Sequence, residues 1–310
     1  MNSGTVALVG RPNAGKSTLL NTLVGEKVAI VSDKPQSTRH RIAGVVTEAR
    51  GQLIIFDLPG VHRPLHRMNV AMMHVLHDTV AEVDVVLQIF DASQPGGEGE
   101  RFVTRLVAES GTPAVLIANK CDLPGVERQL AQRMAFYTEL HRYAGVVPIS
   151  ARTGKGVEAL LTTVFPLLPE GEPWLDPSLS TTQSERFFIA ELIREAVLAE
   201  VRDELPFAVA VQLRHLEEEE TAKGPLLRIW ADIVLERPSQ KAIVIGRAGH
   251  LIRKIGSQAR AQIETLLGAR VYLDVQVKVK PRWRENASFL SELSAVEASE
   301  LEWHDEAGEP

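Results

Sequence analysis

A short stretch near the start of the chain has the residue types that hold phosphate groups in proteins. It reads Gly10-Arg11-Pro12-Asn13-Ala14-Gly15-Lys16-Ser17 and matches the pattern G-x-x-x-x-G-K-[ST] at every fixed position. The backbone N–H groups of such a loop form a concave site for anions. Lys16 would reach the β- and γ-phosphates of a nucleotide, Ser17 would bind Mg²⁺, and Thr18 would complete the set of binding residues.

The residues around this loop decide between a phosphate site and a glycine-rich turn that matches by accident. Residues 5–9 are a short, β-branched, apolar run, which predicts a buried strand. Residues 17–24 carry apolar side chains at helical spacing. The motif requires a strand, a loop and a helix in this order, so the sequence favours the phosphate site.

Segments typical of strands and helices alternate as far as about residue 168. The strand candidates are 5–9, 42–48, 52–56, 85–90, 114–118 and 146–149. The helix candidates are 17–24, 69–80, 99–110, 127–143 and 156–167. This alternation predicts an α/β domain with a mainly parallel sheet and helices on both faces. Ligands of such sheets bind at the carboxyl ends of the strands, so functional residues should lie in the loops that follow them.

The loops of this predicted domain carry further groups suited to nucleotide chemistry. They are Pro35-Gln36-Ser37-Thr38-Arg39, Asp57-Leu58-Pro59-Gly60-Val61, Asn119-Lys120-Cys121-Asp122 and Ser150-Ala151-Arg152-Thr153-Gly154. Each alone has the composition of an ordinary turn. Together, and in this order, they resemble the motifs of the translation-factor-related class of GTPases. The resemblance implies a Ras-like GTP-binding domain over residues 1–168.

The same resemblance implies a role for each motif. Asp57 would hold the same Mg²⁺ as Ser17 through water, and Thr38 would close over this ion from a mobile loop. The Gly60 N–H would sense the γ-phosphate. Asp122 would accept two hydrogen bonds from the guanine N1–H and N2–H₂, a pair of donors that adenine lacks. The remaining GTP-binding residues would be Leu58, Pro59, Val61, Asn119, Lys120, Ser150 and Ala151.

Two residues bear on how GTP would be hydrolysed. Val61 stands where Ras-like enzymes place the glutamine that orients the attacking water, so a slow intrinsic rate is expected. Asn13 resembles the asparagine that binds a potassium ion in several relatives without that glutamine, and K⁺ would then stabilise the transition state. The alternative is that Asn13 only shapes the loop. No side chain is a convincing general base, so the expected catalytic set is Lys16, Asn13, Thr38 and Gly60, acting by position and charge.

A second domain is predicted after residue 182. Residues 169–182 hold three prolines and small polar residues without a period, which is typical of a linker. A T-x-x-E capping box that starts at Thr182 predicts the next helix. Strand candidates 207–213 and 226–235 follow on either side of the acidic run 217–220. That run is interpreted as the solvated end of a hairpin rather than as a metal site.

A second motif, Gly246-Arg247-Ala248-Gly249, matches G-x-x-G between apolar segments. The order helix, strand, strand, helix, loop, helix, strand, ending with a strand at 271–279, resembles a type II KH domain. In that α+β domain the G-x-x-G loop clamps the backbone of about four unpaired nucleotides. Propensity alone would make residues 242–245 a strand, whereas the resemblance makes them a helix. A plain helix–turn–helix is the competing interpretation.

The charge around this motif is strongly positive. Residues 241–284 hold ten Lys or Arg and two Asp or Glu, the electrostatic pattern of a nucleic-acid surface. Trp283 would stack on a base, although an exposed, solubilising strand end is the alternative for this region. The predicted RNA-binding residues are Gly246, Arg247, Ala248, Gly249, Arg253, Lys254, Lys278, Lys280, Arg282, Trp283 and Arg284.

A GTPase domain followed by one KH domain at 183–284 resembles the Era family of bacterial GTPases. The resemblance implies binding to the 3′ end of 16S ribosomal RNA, a role in assembly of the 30S subunit, and peripheral contact with the cell membrane. The residues alone predict only a GTPase that binds single-stranded RNA. A rival is an RNA-binding assembly factor in which GTP is structural and hydrolysis is incidental. An ATP-driven RNA remodeller is disfavoured by the Asn-Lys-x-Asp motif at Asn119–Asp122.

The composition sets the remaining expectations. The chain has 310 residues, 45% hydrophobic and 24% charged, which suits a globular protein of about two domains. It shows neither a membrane-spanning apolar run nor a secretory signal pattern, and the single Cys121 cannot form an intramolecular disulfide. We therefore expect a cytoplasmic monomer. Residues 285–310 hold eight acidic residues and no Lys or Arg, which predicts a disordered tail, or alternatively one that folds back over the basic KH face.

Overall fold

A computed structural model describes residues 1–34, 37–61, 67–222 and 224–295. The predictions made for Pro35 and Gln36, and for the tail at 296–310, lie outside the described residues.

The first part of the chain has the predicted alternation of strands and helices. Its strands are β1 (Asn2–Val9), β2 (Ile42–Glu48), β3 (Gly51–Asp57), β4 (Val85–Asp91), β5 (Ala114–Asn119) and β6 (Gly145–Pro148). Its helices are α1 (Lys16–Val24), α2 (Arg67–Glu82), α3 (Glu98–Ser110), α4 (Leu130–Thr138) and α5 (Val157–Val164). The predicted helix at 127–143 is too long, because a 3₁₀ turn, Glu127–Gln129, precedes α4 and the helix ends at Thr138.

The six strands form one sheet in the order β2-β3-β1-β4-β5-β6. Only β2 runs antiparallel to its neighbour β3, so the prediction of a mainly parallel sheet is confirmed. Alternate residues of β1 point to opposite faces: Val6 and Leu8 pack toward α1 and α5, and Ala7 and Val9 toward α2 and α3. Helices therefore cover both faces, and the loops at the carboxyl edge are left to carry function.

The segment predicted as a linker is fastened to the first domain. The Gln52 side chain of β3 accepts the N–H groups of Trp174 and Leu175 and donates back to the Leu175 carbonyl, all at 2.8–2.9 Å. Further along, the Thr181 hydroxyl donates to the Ala43 carbonyl at 2.6 Å. Hydrogen bonds therefore attach this segment to the first domain as far as Thr181.

The second domain packs helices on one face of a three-stranded sheet. Its elements are α6 (Glu185–Glu200), α7 (Leu205–Ala208), β7 (Ala210–Thr221), β8 (Gly224–Leu235), α8 (Pro238–Ile245), α9 (His250–Leu267) and β9 (Arg270–Val279). The strand order is β7-β8-β9, with β8 antiparallel to β7 and parallel to β9. Ile193 of α6 and Ile263 of α9 share one core with Ile229 of β8. The helix predicted at 242–245 is confirmed within α8.

Three details differ from the prediction. The N-cap of α6 is Ser184, whose hydroxyl accepts the Phe187 N–H at 3.2 Å, so the capping box at Thr182 is wrong by two residues. The chain at 207–209 is not yet a strand, because α7 extends to Ala208. The acidic run 217–220 is largely solvent-exposed as predicted, but it lies inside β7 and pairs with β8 rather than separating the two strands.

The disordered tail predicted from residue 285 is wrong for its first part. A tenth helix, α10 (Ala287–Ala295), follows the KH domain. Phe289 is 1% exposed and packs with Trp283 and with Met68 and Met72 of α2. Burial of this one aromatic side chain gives the acidic segment an apolar anchor that its net charge does not reveal. Among the described helices, none combines the length and the apolar composition needed to cross a membrane.

Candidate functional site

The phosphate loop follows β1 and depends on glycine at its last turn. Gly15 has φ +100°, and a Cβ added there would lie 2.2 Å from Asn119 Nδ2. The left-handed backbone and the close contact both favour glycine. Helix α1 begins at the next residue, Lys16, so its first-turn N–H groups, which have no acceptor within the helix, line the site.

The Lys16 side chain folds back over this loop. Its Nζ donates to the carbonyls of Gly10 at 3.4 Å and Arg11 at 3.3 Å. Burial lowers the pKa of Lys16, although the charge of Asp57 opposes that shift. An ammonium group that neutral carbonyls hold in a buried loop interacts strongly with an incoming phosphate, because little water screens the two charges.

Three oxygen-bearing side chains meet beside the loop. Thr38 Oγ1 lies 3.0 Å from Ser17 Oγ and 3.2 Å from Asp57 Oδ2, and Ser17 Oγ also bonds to Asp57 Oδ2. Asp57 is fully buried, burial raises the pKa of its carboxyl, and its Oδ1 has no hydrogen-bond partner in the described part of the chain. Mg²⁺ prefers hard oxygen donors. The residues present therefore fit the Mg²⁺ predicted at Ser17, Thr38 and Asp57.

Gly60 and Val61 lie directly against the phosphate loop. A Cβ on Gly60 would be 2.8 Å from the Pro12 nitrogen, and the Val61 N–H donates to the Gly10 carbonyl at 3.1 Å. The Val61 side chain is 4% exposed and packs with Leu58 in the core shared with α2 and α3. Val61 thus presents no polar group to a water at the γ-phosphate position.

Asn13 joins the phosphate loop to the loop that carries Thr38. Its backbone is left-handed, with φ 63°, and its Nδ2 donates to the Asp33 carbonyl at 2.9 Å. This bond uses the nitrogen of the side-chain amide. The oxygen of the same amide is the atom that a potassium ion would require.

The predicted base-binding loops come together at the ends of β5 and β6. Asn119 Nδ2 donates to the Ala14 carbonyl at 2.8 Å, and Asn119 Oδ1 accepts the Ala151 N–H at 2.9 Å. Asp122 Oδ1 accepts the Ser150 hydroxyl at 2.7 Å. Hydrogen bonds from Ser150 and from Arg152 lower the pKa of Asp122, so this carboxyl is an ionised acceptor near neutral pH. One asparagine thereby ties the base pocket to the phosphate loop.

Two charged residues of this pocket were not among the predicted binding residues, although one of them, Arg152, stands in the quoted motif 150–154. Arg152 Nη2 lies 2.5 Å from Asp122 Oδ2, and Asp91 Oδ2 accepts Lys120 Nζ at 2.6 Å. Asp91 ends β4 and is in register with Asn119 of β5. Its position at the carboxyl end of a predicted strand could have identified it as a pocket residue. Arg152 follows Ser150 and Ala151 directly in that motif, but nothing in the sequence indicated that its side chain pairs with Asp122.

The other predicted GTP-binding residues have varied surroundings. Leu58 and Pro59 are buried, so they would contact a nucleotide through the backbone, and Thr18 is half-buried on α1. Arg11 pairs with Glu100 of α3 at 3.0 Å. The cavity lined by Lys16, Ser17 and Thr38 is about 40 Å³, and the cavity lined by Arg11 and Ala14 on the side of Asp91 is about 320 Å³. A larger cavity of about 700 Å³ lies between the two domains.

The G-x-x-G loop joins α8 to α9 in a left-handed conformation. Gly246 and Gly249 have φ of 70° and 73°, and Ala248 between them has φ 51°. Arg247 and Ala248 are exposed at the tip of the loop. Arg253 Nη2 donates to the Ala248 carbonyl at 2.9 Å, which braces the loop from the first turns of α9. The loop thus offers backbone groups and positive charge to an approaching nucleic-acid strand.

The predicted RNA role of Trp283 is wrong in this structure. Its side chain is 0% exposed, and its Nε1 donates to the Ala208 carbonyl at 3.0 Å, so it cannot stack on a base. Lys280 lies over the Phe289 ring at 3.8 Å, and Arg284 pairs with Glu236 at 2.5 Å. These two cations are therefore engaged within the protein, whereas Lys278 and Arg282 are exposed.

The structure thus brings the GTP set together at one sheet edge, while several cations of the RNA set are engaged within the protein. Among the predicted RNA residues, Lys254 of α9 pairs with Glu200 of α6 at 2.7 Å. The strand-end residues lie at the opposite end of the KH sheet from its hairpin turn, beside α10.

Both domains match known families. Residues 5–120 match the family described as 50S ribosome-binding GTPase, and residues 204–284 match the KH domain. GTPase Era of Heliobacterium modesticaldum is 41% identical over 97% of this chain and 99% of its own length. GTPase Era of Geobacter metallireducens is 42% identical over 94% of this chain and 97% of its own length.

Two solved structures share this two-domain fold. An Era variant from Aquifex aeolicus bound to GDP·AlF₄⁻ has a TM-score of 0.89 and 33% identity, covering 94% of this chain and 99% of that one. Era in complex with MgGDPNP and nucleotides 1506–1542 of 16S ribosomal RNA has the same TM-score and identity, covering 94% and 98%.

Proposed function

Because the chain belongs to the Era family of GTPases, we propose that it is a GTP-driven switch that binds the 3′ end of 16S ribosomal RNA and acts in 30S subunit assembly. The observation that carries the proposal is the presence, in one chain, of a guanine-type pocket around Asp122 and a left-handed G-x-x-G loop at 246–249. The Era complex with MgGDPNP and a 16S fragment supports the RNA partner.

The chemistry of the switch is assigned to the residues of the phosphate loop and its neighbours. Ser17, Thr38 and Asp57 would hold Mg²⁺, which when bound supplies positive charge beside the phosphates. Lys16 would neutralise the β- and γ-phosphates, and the Gly60 N–H would donate to the γ-phosphate. Transfer of the γ-phosphoryl group to water then rests on position and charge, and the apolar Val61 makes the intrinsic rate slow.

Potassium is proposed as the further cation of this site, held in part by the Asn13 side-chain oxygen. We expect GTP hydrolysis to be about tenfold faster in KCl than in NaCl at matched ionic strength, because a second cation would stabilise the charge of the transition state. Asn13→Ala should remove this difference without a comparable loss of GDP affinity. Equal rates of the unchanged protein in the two salts would show that Asn13 only shapes the loop.

RNA is proposed to bind along the loop and the start of α9. Arg247 and Arg253, together with the backbone of Gly246–Gly249, would hold phosphates, and the exposed Lys278 and Arg282 would extend the charged surface. The proposal divides the chain into a GTP-binding domain at 1–168, a linker at 169–182 and a KH domain at 183–284. It includes a cytoplasmic monomer, together with the peripheral contact to the cytoplasmic face of the cell membrane that the family resemblance implies.

A second candidate is an RNA-binding assembly factor in which GTP is structural. The buried, apolar side chain of Val61 favours this candidate, because it cannot orient a water molecule for GTP hydrolysis. Single-turnover GTP hydrolysis with and without 30S subunits separates the two. For a switch we expect subunits to change the rate by at least about fivefold, since RNA and nucleotide would be coupled. An unchanged rate, with RNA bound equally in both nucleotide states, would favour the structural role.

A further inference from the structure

Helix α6 of the KH domain holds the loop between α1 and β2 at two places. This loop is called the switch loop here and comprises residues 25–41, of which 35 and 36 are not described. Near its start, Glu195 accepts Lys27 Nζ at 2.5 Å and the Val31 N–H at 2.9 Å. Near its end, Arg194 Nη2 donates to the Ser37 carbonyl. Two adjacent residues of α6, Arg194 and Glu195, thus bond to the switch loop near its two ends.

The Arg194 side chain that bonds to Ser37 is held in the protein interior. Arg194 and Glu191 are 3% and 6% exposed, and their side chains form a two-pronged ion pair with N–O distances of 2.6 Å. Although burial alone would raise it, the charge and hydrogen bonds of Arg194 hold the pKa of Glu191 below its ordinary value. The Arg194 Nη1 has no hydrogen-bond partner in the described part of the chain, but Nε and Nη2 both bond to Glu191. A buried guanidinium held through two nitrogens has little rotational freedom, so the position of Arg194 is set before the switch loop reaches it.

A second arginine makes the reverse connection, from the switch loop into the KH domain. Arg39 donates to the Val209 carbonyl at 2.5 Å and to the Pro206 carbonyl at 2.8 Å, and its guanidinium lies 5.7 Å from the centre of the Trp283 ring. Pro206 belongs to the short helix α7, and Val209 caps its carboxyl end, where carbonyl groups attract a cation. Arg39 thereby covers Trp283 together with α10.

Thr38 lies between the two connections. The residue before it accepts from Arg194, and the residue after it, Arg39, donates to the KH backbone. Thr38 itself is 5% exposed and contacts Ser17 and Asp57 through its hydroxyl. The hydroxyl that is proposed to bind Mg²⁺ is therefore placed by bonds to both of its neighbours, and both bonds cross the domain boundary.

We infer that Arg194 and Glu191 of the KH domain, together with Arg39, are positioning residues for the GTPase reaction, because they hold Thr38 at the metal site. The KH domain then helps to position a residue of the GTPase site, in addition to binding RNA. The inference rests on the proposed role of Thr38. Helix α6 also pairs with the RNA-side helix α9 through Glu200 and Lys254, about 9 Å from Arg194 along the helix axis at 1.5 Å per residue.

The test uses the full-length protein with charge-balanced variants. Replacing Arg194 alone would leave Glu191 buried without its partner, so Glu191→Gln with Arg194→Met removes both charges while keeping similar volumes. We expect the Mg²⁺ concentration that gives half-maximal single-turnover hydrolysis to rise about tenfold, as for the loss of one charge-assisted hydrogen bond. GDP affinity should stay within about twofold, because GDP has no γ-phosphate to order this loop. Arg194→Lys keeps the positive charge on a single donor nitrogen, so this variant should retain part of the Mg²⁺ response.

A second readout does not depend on activity. In the complex with Mg²⁺ and a non-hydrolysable GTP analogue, the amide hydrogens of residues 37–40 should exchange about tenfold faster in the double variant. The matched control is Arg186→Met, which changes an exposed arginine on the first turn of the same helix and should alter neither readout. Thr38→Ala serves as the reference for complete loss of the hydroxyl.

The outcomes separate this inference from the proposed function. If the folded double variant keeps its Mg²⁺ dependence and exchange rates while Thr38→Ala raises the Mg²⁺ requirement, the positioning role is wrong and the metal role of Thr38 stands. If Thr38→Ala also has no effect, the metal role fails and the inference fails with it. If the double variant does not fold, Arg194→Lys decides on the same two readouts, with an unchanged response contradicting the inference.

Discussion

Replacing Asp122 with asparagine should lower GTP affinity by about a hundredfold or more and create a preference for xanthosine triphosphate. The ionised carboxylate can accept hydrogen bonds from the guanine N1–H and N2–H₂, and the bonds from Ser150 and Arg152 hold it in place. An asparagine amide offers one donor and one acceptor in its place, which suits the 2-oxo group of xanthine. Competition against a fluorescent GDP analogue measures both affinities.

The control for this experiment is Asp203→Asn, the same chemical change at an exposed position in the KH domain. It should leave nucleotide affinity unchanged. If Asp122→Asn still prefers GTP over xanthosine triphosphate, the assignment of the base pocket is wrong, because the preference then does not depend on the carboxylate of residue 122.

The second large effect is expected at the G-x-x-G loop. Arg247→Asp with Ala248→Asp should weaken binding of a single-stranded RNA, matched to the 16S 3′ end, by about a hundredfold at low salt. Both side chains are exposed at the loop tip, and two carboxylates there would repel a phosphate backbone that must approach the loop closely. Fluorescence anisotropy measures the affinity, and thermal melting checks that the domain remains folded.

The chain offers a closely matched control for the loop variant. Arg260 and Ala261 repeat the same dipeptide on the exposed face of α9, so Arg260→Asp with Ala261→Asp makes the same change in net charge. We expect this control to lose about tenfold or less, because only long-range attraction changes. An equal loss in the two variants would mean that the domain binds RNA by net charge and not through the loop.

Local patterns in the sequence were enough to predict the GTP-binding part of the fold. Strand 42–48 was predicted with its observed bounds, because its apolar and β-branched residues lie between the charged Arg41 and Glu48. The motifs at the strand ends then fall together without further information, since parallel strands place their carboxyl ends on one edge. Asp122, Ser150 and Asn119 are brought together in this way.

Contacts between the domains could not be predicted from the same patterns. Arg194 and Glu191 have the spacing of an ordinary ion pair on a solvent-exposed helix face, and only the neighbouring domain buries them. Trp283 stands in a basic strand end that resembles an RNA surface, yet α10 and Arg39 cover it. A sequence pattern does not show which polar face of a helix another domain will bury. The roles of these residues therefore became visible only in the structure.

The central claim is that the nucleotide at the phosphate loop controls the RNA held at the G-x-x-G loop. The most direct measurement is crosslinking of the full-length protein to total RNA, with GDP or with a non-hydrolysable GTP analogue, followed by sequencing of the recovered RNA. We predict at least about fivefold more crosslinks at the 3′ end of 16S ribosomal RNA with the GTP analogue, the smallest ratio typical of coupled sites. Equal recovery of that RNA in the two nucleotide states would contradict the account.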